Sequence, residues 1–293
     1  MKGGAAARGN GMRPMRHEDI DSVVVVFRQA LQDMRRAIGL PGDYDSSRLD
    51  GGVSHLLATD PGGSWIVENE HAGIVGFAQG ARRDDLWVLA HLFVLPSSQG
   101  AGLGRALLNR SLEYGCECRS GLIASTPFPA AMTLYARLPG FVVHPMVSAS
   151  GRVDRQALAS APDVRVGDSS DRDLIDAVDR QIRTGSHGSD IDYLLESGST
   201  LYVISDRGYA VAGSDQVDLL AATDEQAARQ LLSEALRRTD CERTVTIKRI
   251  GAGQPWAVEV AVSAGLQLSP WGPLLARDCL APTQPYLPDS AFC

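Results

Sequence analysis

No apolar run in this chain approaches the roughly 18 residues needed to cross a bilayer. Met1-Lys2-Gly3-Gly4-Ala5-Ala6-Ala7-Arg8 contains no apolar region of the kind that opens a secretory signal. Nor is there a basic excess. Lys and Arg number 28 against 35 Asp and Glu, a formal net charge of −7, and a nucleic-acid backbone would find no basic surface to bind. The five cysteines are an odd set with only Cys116 and Cys118 close together, which suits a reducing compartment better than a disulfide framework. That pair has no second Cys or His pair at ligand spacing, so no metal is expected. What remains is a globular chain of 293 residues, 44% hydrophobic and 22% charged, long enough for two cores, and a cytoplasmic location is expected. Residues 1–11 are expected to be disordered.

Against these absences stands one dense stretch, Leu92-Phe93-Val94-Leu95-Pro96-Ser97-Ser98-Gln99-Gly100-Ala101-Gly102-Leu103-Gly104-Arg105. An apolar strand runs through a proline into three closely spaced glycines and then into a segment, Gly104–Tyr114, with helical spacing of its apolar residues. Glycines let the backbone turn tightly and approach an anion closely, since no Cβ intervenes. The first turn of the helix adds unpaired N–H donors. A helix-terminus effect of about 0.3–1 kcal/mol, with charge-assisted hydrogen bonds of about 1.5–3 kcal/mol each, suffices for a diphosphate without a lysine. A Walker loop would need Gly-Lys-Ser/Thr where Gly104-Arg105-Ala106 stands. A dinucleotide fingerprint would need its third glycine elsewhere and would lie near the start of a βαβ unit.

The pattern Val-x-Pro-x-x-Gln-Gly-x-Gly-x-Gly over Val94–Gly104 resembles the acyl-CoA-binding motif of the GCN5-related N-acetyltransferase (GNAT) superfamily. Ala131-Met132-Thr133-Leu134-Tyr135, followed by Gly140-Phe141, is similar to a later motif of the same family, in which Ala-x-x-Leu-Tyr lies on a helix. The resemblance covers roughly residues 12–147. It implies an α/β (α+β) fold with a mixed, mostly antiparallel sheet flanked by helices, and acetyl-CoA as co-substrate. It also implies a binding set of Phe93, Val94, Gln99, Gly100, Ala101, Gly102, Leu103, Gly104, Arg105 and Phe128.

The chain order then repeats. In the first half a helix with Ile20, Val24, Phe27, Leu31, Met34 and Ile38 on one face precedes strands near Ser64–Glu68, Gly73–Gly80 and Trp87–Leu95. In the second, Val164-Arg165-Val166 and a helix after Ser170 precede strands at Gly198–Ile204, Gly208–Gly213 and Val217–Ala222. Two tandem GNAT-like domains are the economical reading: a catalytic one at 12–147, a linker at 148–163, a degenerate one at 164–278 and a tail at 279–293. In the second, Thr223-Asp224-Glu225-Gln226-Ala227-Ala228 replaces Gln99–Gly104, and like charges at a diphosphate site repel. Ala261 stands in the place of the tyrosine.

Acetyl transfer to an amine needs a neutral nucleophile, a stabilised oxyanion and a protonated leaving thiol. An alkylamine of pKa about 10.4 is only about 0.1% neutral at pH 7, a cost of about 4–5 kcal/mol. The resemblance assigns the Val94 backbone N–H to the oxyanion and Tyr135 to the thiolate as general acid. Family bases on the preceding strand fall at Val88 and Ala90, which are apolar here. His91 is the adjacent candidate base, although strand alternation turns it to the opposite face, and Asp84 and Asp85 read as a turn that could act through water. Phe128 stands where an asparagine often steadies the CoA arm, and an extra residue at Leu138-Pro139 lengthens the step from Tyr135 to Gly140. The expected acceptor is a primary amine of a small molecule or peptide, handled by a monomer or homodimer. An acyl-CoA-binding regulatory module without turnover, another acyl group and an oxygen acceptor remain alternatives.

Overall fold

The computed structural model describes residues 10–39, 49–240 and 242–293. The expectation of disorder at the N-terminus lies outside these residues up to position 9, but Asn10 and Gly11 are in a strand. The first half runs β1 (Asn10–Pro14), α1 (Ile20–Ala37), α2 (Leu49–Thr59), β2 (Ser64–Asn69), β3 (Gly73–Arg83), β4 (Leu86–Val94), α3 (Leu103–Tyr114), β5 (Ser120–Ala124), α4 (Pro129–Tyr135) and β6 (Val142–Gly151). The second half runs β7 (Arg165–Val166), α5 (Arg172–Arg183), α6 (Ser189–Glu196), β8 (Thr200–Ile204), β9 (Gly208–Ala212), β10 (Gln216–Ala222), α7 (Glu225–Arg238), β11 (Val245–Gly251), α8 (Pro255–Ser263), β12 (Gln267–Arg277) and β13 (Tyr286–Leu287). Up to β12, the second series repeats the order of the first. Among the described residues no helix is long and apolar enough to cross a membrane.

Contacts divide the chain into two compact units, residues 1–82 with 87–117, and residues 83–86 with 118–293. In the first unit β1, β2, β3 and β4 are neighbours in that order, β2 lying antiparallel to both β1 and β3. Helix α1 lays Ile20, Val23, Val24, Phe27 and Leu31 on one face of these strands, against Ile66 and Phe77. Helix α3 covers the other face with Leu103 and Leu107, against Val67, Val75, Ala78 and Val94. The alternation of side chains along a strand supplies both faces at once.

The second unit has the order β5-β12-β6-β11-β10-β9-β8-β7. Its centre is an exchange of last strands. β12 pairs antiparallel with β5 from Leu274↔Ala124 to Arg277↔Gly121, while β6 pairs antiparallel with β11, Val245 facing Gly151 and Gly251 facing Met146. β6 and β12 also pair with each other. The contact boundaries follow these ladders rather than the internal repeat, because the last strand of each half completes the sheet of the other. β6 therefore continues through Ser148–Gly151, where the sequence suggested a linker.

The two halves lead into their first helix through the same device. Arg13 forms a two-pronged pair with Asp19, at 2.7 and 2.8 Å, and the Asp19 carboxylate also accepts from Arg16 N–H. Arg165 grips Asp171 in the same fork, and Asp171 accepts from Asp168 N–H. In each case the arginine, through its hydrogen bonds, holds the aspartate below the ordinary carboxylate range.

Candidate active site

The glycine loop leaves β4 through a short 3-10 turn at Pro96–Ser98. Leu95 N–H still donates to Val75 O at 2.8 Å, so the strand keeps its partner until the proline. Proline cannot donate, and the ladder ends there. The Gln99 side chain folds back and its Nε2 donates to the Val94 carbonyl at 2.9 Å, locking the strand end to the loop. Gln99 thus shapes the loop with its amide.

Gly100 and Gly102 both sit at φ +82°, the left-handed region in which side-chain-bearing residues are strained, and a Cβ placed on either would meet nothing within 4 Å. Together these leave an open, exposed stretch of backbone. Gly102 is also the N-cap of α3, and no side chain caps the helix there; its first turn contains no acidic residue. Leu103 turns its side chain into the core, Gly104 follows it in the first turn, and Ala101 and Arg105 are exposed. The loop can therefore present Gly102–Arg105 N–H groups, a guanidinium and a helix N-terminus to an anion.

The corresponding site in the second half is closed by the chain itself. Asp224 caps α7, its carboxylate accepting from Ala227 N–H at 2.9 Å, and Arg207 grips the same carboxylate at 2.7 and 3.0 Å. That pairing with Arg207, joined by the Ala227 N–H, holds Asp224 below the usual carboxylate range. The sequence suggested repulsion of a diphosphate. The structure adds that a carboxylate of the chain already uses the donors. β10 pairs with β11 only at Gln216 and Val217, and farther along its Leu220 and Ala221 take β13 of the tail as partner.

Tyr135 ends α4 in the second unit and is 6% exposed. Burial raises its phenol well above the ordinary tyrosine value, so it stays protonated and able to donate throughout the physiological range. Phe128 is the N-cap residue of the same helix, with its carbonyl accepting from Met132 N–H. Past the helix, Leu138 N–H returns to Tyr135 O and Phe141 N–H to Leu138 O, so the extra residue is absorbed in a tight turn closed by Gly140 at φ +78°.

His91 faces α1, as strand alternation requires. Its ring centroid lies 4.9 Å from Phe27 and 5.9 Å from Phe77, and its Nδ1 is 2.9 Å from Gln79 Oε1. Asp84 and Asp85 are committed elsewhere. Asp84, at φ +53°, pairs with Arg180 at 3.0 Å and accepts from Ser186 N–H, while Asp85 accepts from Arg119 N–H and pairs with its guanidinium. Both fit the turn reading, with carboxylates that fasten neighbouring segments.

The second unit also holds a buried polar cluster that no sequence motif marks. Asp179 accepts from His187 through both the backbone N–H and Nδ1, and from the Tyr209 hydroxyl. Arg183, with no exposed surface, donates to the Phe292 carbonyl at 2.9 Å. Burial, then the nearby Arg183, lowers the His187 pKa and keeps the ring neutral. The helical spacing of Asp179 and Arg183 is visible in the sequence, but on an otherwise amphipathic helix it reads as a solvated pair.

Comparison with known proteins agrees with this geometry. Residues 60–143, from the turn before β2 through the glycine loop and Tyr135, match the family described as acetyltransferase (GNAT) domain. This stretch is similar to a GNAT acetyltransferase domain. Among solved structures, a proposed acetyltransferase from Pyrococcus horikoshii superposes with a TM-score of 0.79 at 15% identity, covering 100% of this chain and 98% of its own. A GCN5-related N-acetyltransferase from Sphaerobacter thermophilus gives 0.58 at 12% identity over 92% and 95%. One from Kribbella flavida gives 0.54 at 18% over 94% and 72%. At these identities the likeness is one of fold. No curated protein sequence matches the chain.

Proposed function

We propose that the chain is an acetyl-CoA-dependent N-acetyltransferase that acts on a primary amine of a small molecule or peptide. The first half carries the reaction and the second is a degenerate GNAT-like copy. The observation that carries this reading is the uncapped, left-handed Gly100–Gly102 cradle at the start of α3. The diphosphate of acetyl-CoA would rest on the Gly100–Arg105 backbone, with Phe93 and Phe128 part of the wider binding set. The Val94 N–H takes the oxyanion role, supported by the Gln99 clamp on the same residue's carbonyl. Tyr135 is the general acid, and its raised phenol pKa suits a group that must arrive protonated. His91 is the base.

Calorimetry with acetyl-CoA tests the reading directly. One molecule should bind per chain, and Gly102→Glu should weaken binding at least about 100-fold, because a carboxylate and a Cβ at φ +82° are both set against the diphosphate. Unchanged binding by that variant would sink the assignment. A second reading, an acyl-CoA-responsive module without turnover, draws on apolar Val88 and Ala90 at the strand positions for a family base. Release of free thiol with a panel of amines separates the two, since a module of that kind would bind and release nothing above hydrolysis.

A further inference from the structure

Within the second unit, the last turn of α7 and the segment between β6 and β7 enclose a groove of about 510 Å³. Three arginines line it, Arg155 from the segment and Arg237 and Arg238 from the helix, with a single carboxylate, Glu234, among the described lining residues. Glu234 divides itself between two of them. Its Oε1 accepts from Arg238 Nε at 2.8 Å, and its Oε2 lies 3.6 Å from Arg237 Nε. Among the described residues Arg155 forms no ion pair: its Nη2 donates to the Thr239 carbonyl, and its own carbonyl accepts from Arg237 Nη1 at 3.4 Å. The carboxylates next to these residues in the chain are engaged elsewhere. Asp154 accepts from Gln156 N–H, Asp163 from the Gln230 amide at 3.3 Å, and Asp240 from Glu242 N–H, with Arg243 at 3.5 Å. None of the three lines the groove.

A helix C-terminus carries about half a negative charge, and Glu234 adds one. Against three guanidinium groups, more than one positive charge stays unmatched, in a chain whose net charge is −7. Like charges gathered round one groove repel, and an anion of more than one charge relieves them. A phosphate monoester carries about −1.5 to −2 near neutral pH, and its oxygens accept from guanidinium groups that arrive from several directions. A carboxylate brings one charge. Ala161, Pro162 and Val164 add an apolar stretch to the lining. The volume falls within the range of about 300–1,000 Å³ of small-molecule sites and leaves room for an organic body beside the anion. We propose that this groove binds a small molecule bearing a phosphate monoester, with the phosphate held by Arg155, Arg237 and Arg238 and the organic part laid on Ala161, Pro162 and Val164. The site stands independently of acyl transfer. Asp224 closes the first turn of α7, while the last turn is open to an anion.

Calorimetry with phenyl phosphate on the full chain tests the assignment. With acetyl-CoA present to occupy any site at the glycine loop, one phenyl phosphate should bind per chain. Arg155→Gln and Arg238→Gln should each weaken it at least about tenfold, whereas Gly102→Glu should leave it unchanged. Glu234→Gln removes the groove's own negative charge and should tighten binding about threefold or more. Damage to the fold predicts the reverse, so this variant decides even where an arginine variant fails to fold. Inorganic phosphate should bind more weakly than phenyl phosphate, because it leaves the apolar stretch uncovered. Absence of binding, binding that both arginine variants leave intact, or weaker binding by a folded Glu234→Gln chain overturns the site. Succinate binding as tightly as phenyl phosphate overturns the phosphate class, and inorganic phosphate binding as tightly overturns the organic part.

Discussion

Helix α3 begins at Gly102 with no side chain over its first turn, whereas α7 begins under the carboxylate of Asp224, itself neutralised by Arg207. Both helices follow a strand of comparable place, and before each helix the chain still bonds back to the neighbouring strand or its turn, Leu95 to Val75 and Thr223 to Arg207. The difference lies in what satisfies the orphan N–H groups that every helix start exposes. A capping carboxylate stabilises the helix by about 0.5–2 kcal/mol and makes the site self-sufficient. Glycines forgo that stabilisation and leave the donors to a ligand. The comparison teaches that the same kind of donor can be used by the chain itself in one half and be left open in the other.

Four measurements can break or sharpen it. The largest effect belongs to the buried cluster: Asp179→Ala leaves His187, Tyr209 and Arg183 without their shared acceptor or counter-charge, and chemical denaturation should register a loss of about 3–5 kcal/mol. Tyr135→Phe should cut kcat about 100-fold or more while acetyl-CoA affinity stays within about twofold, since only the transferable proton is removed. A proportional loss of binding would mean that the hydroxyl holds the cofactor instead. Asp224→Ala should cost about 0.5–2 kcal/mol in a thermal or denaturant melt and leave acetyl-CoA stoichiometry at one. A second equivalent bound would show that capping alone closed that site.

The smallest effect is a pH dependence. The folded-state pKa of His187 lies below its unfolded value of about 6.5, so below that pH the unfolded chain binds a proton that the folded chain refuses. Stability from this residue is complete above about pH 6.5 and falls as pH drops toward the lowered folded value, by at most about 1.4 kcal/mol per pH unit. Melts of wild type and His187→Gln between pH 5 and 7 should diverge in slope, with the variant flatter. Parallel slopes would mean that the ring is not held neutral.

Much of the arrangement is legible in the chain before it folds. The amphipathic face of α1 at Ile20, Val24, Phe27 and Leu31, the glycine loop, and the recurrence of element order all rest on local spacing, which a sequence displays. Arg13 and Asp19, like Arg165 and Asp171, stand six residues apart before each first helix, a repeated signal whose meaning emerges only when the forked pair is seen. The exchange of β6 and β12 is not legible. An exposed strand end pairs equally well with either candidate partner by composition, and only the competing ladders of a folded chain choose between them. The tail belongs with it: its pairing to Leu220 and Ala221 depends on β10 and β11 parting after Val217.

The sequence by itself determined which helix start is left open and which is closed by a carboxylate, because left-handed turns and capping residues are properties of a few consecutive residues. The tertiary structure decided which strands complete which sheet, which aspartate and arginine are driven inside, and which partners the buried Gln79 amide meets. Those outcomes depend on atoms brought together from distant parts of the chain, Gln79 from Ser64 and Val53, Asp179 from Tyr209. Direction in a hydrogen bond exists only once both partners are in place.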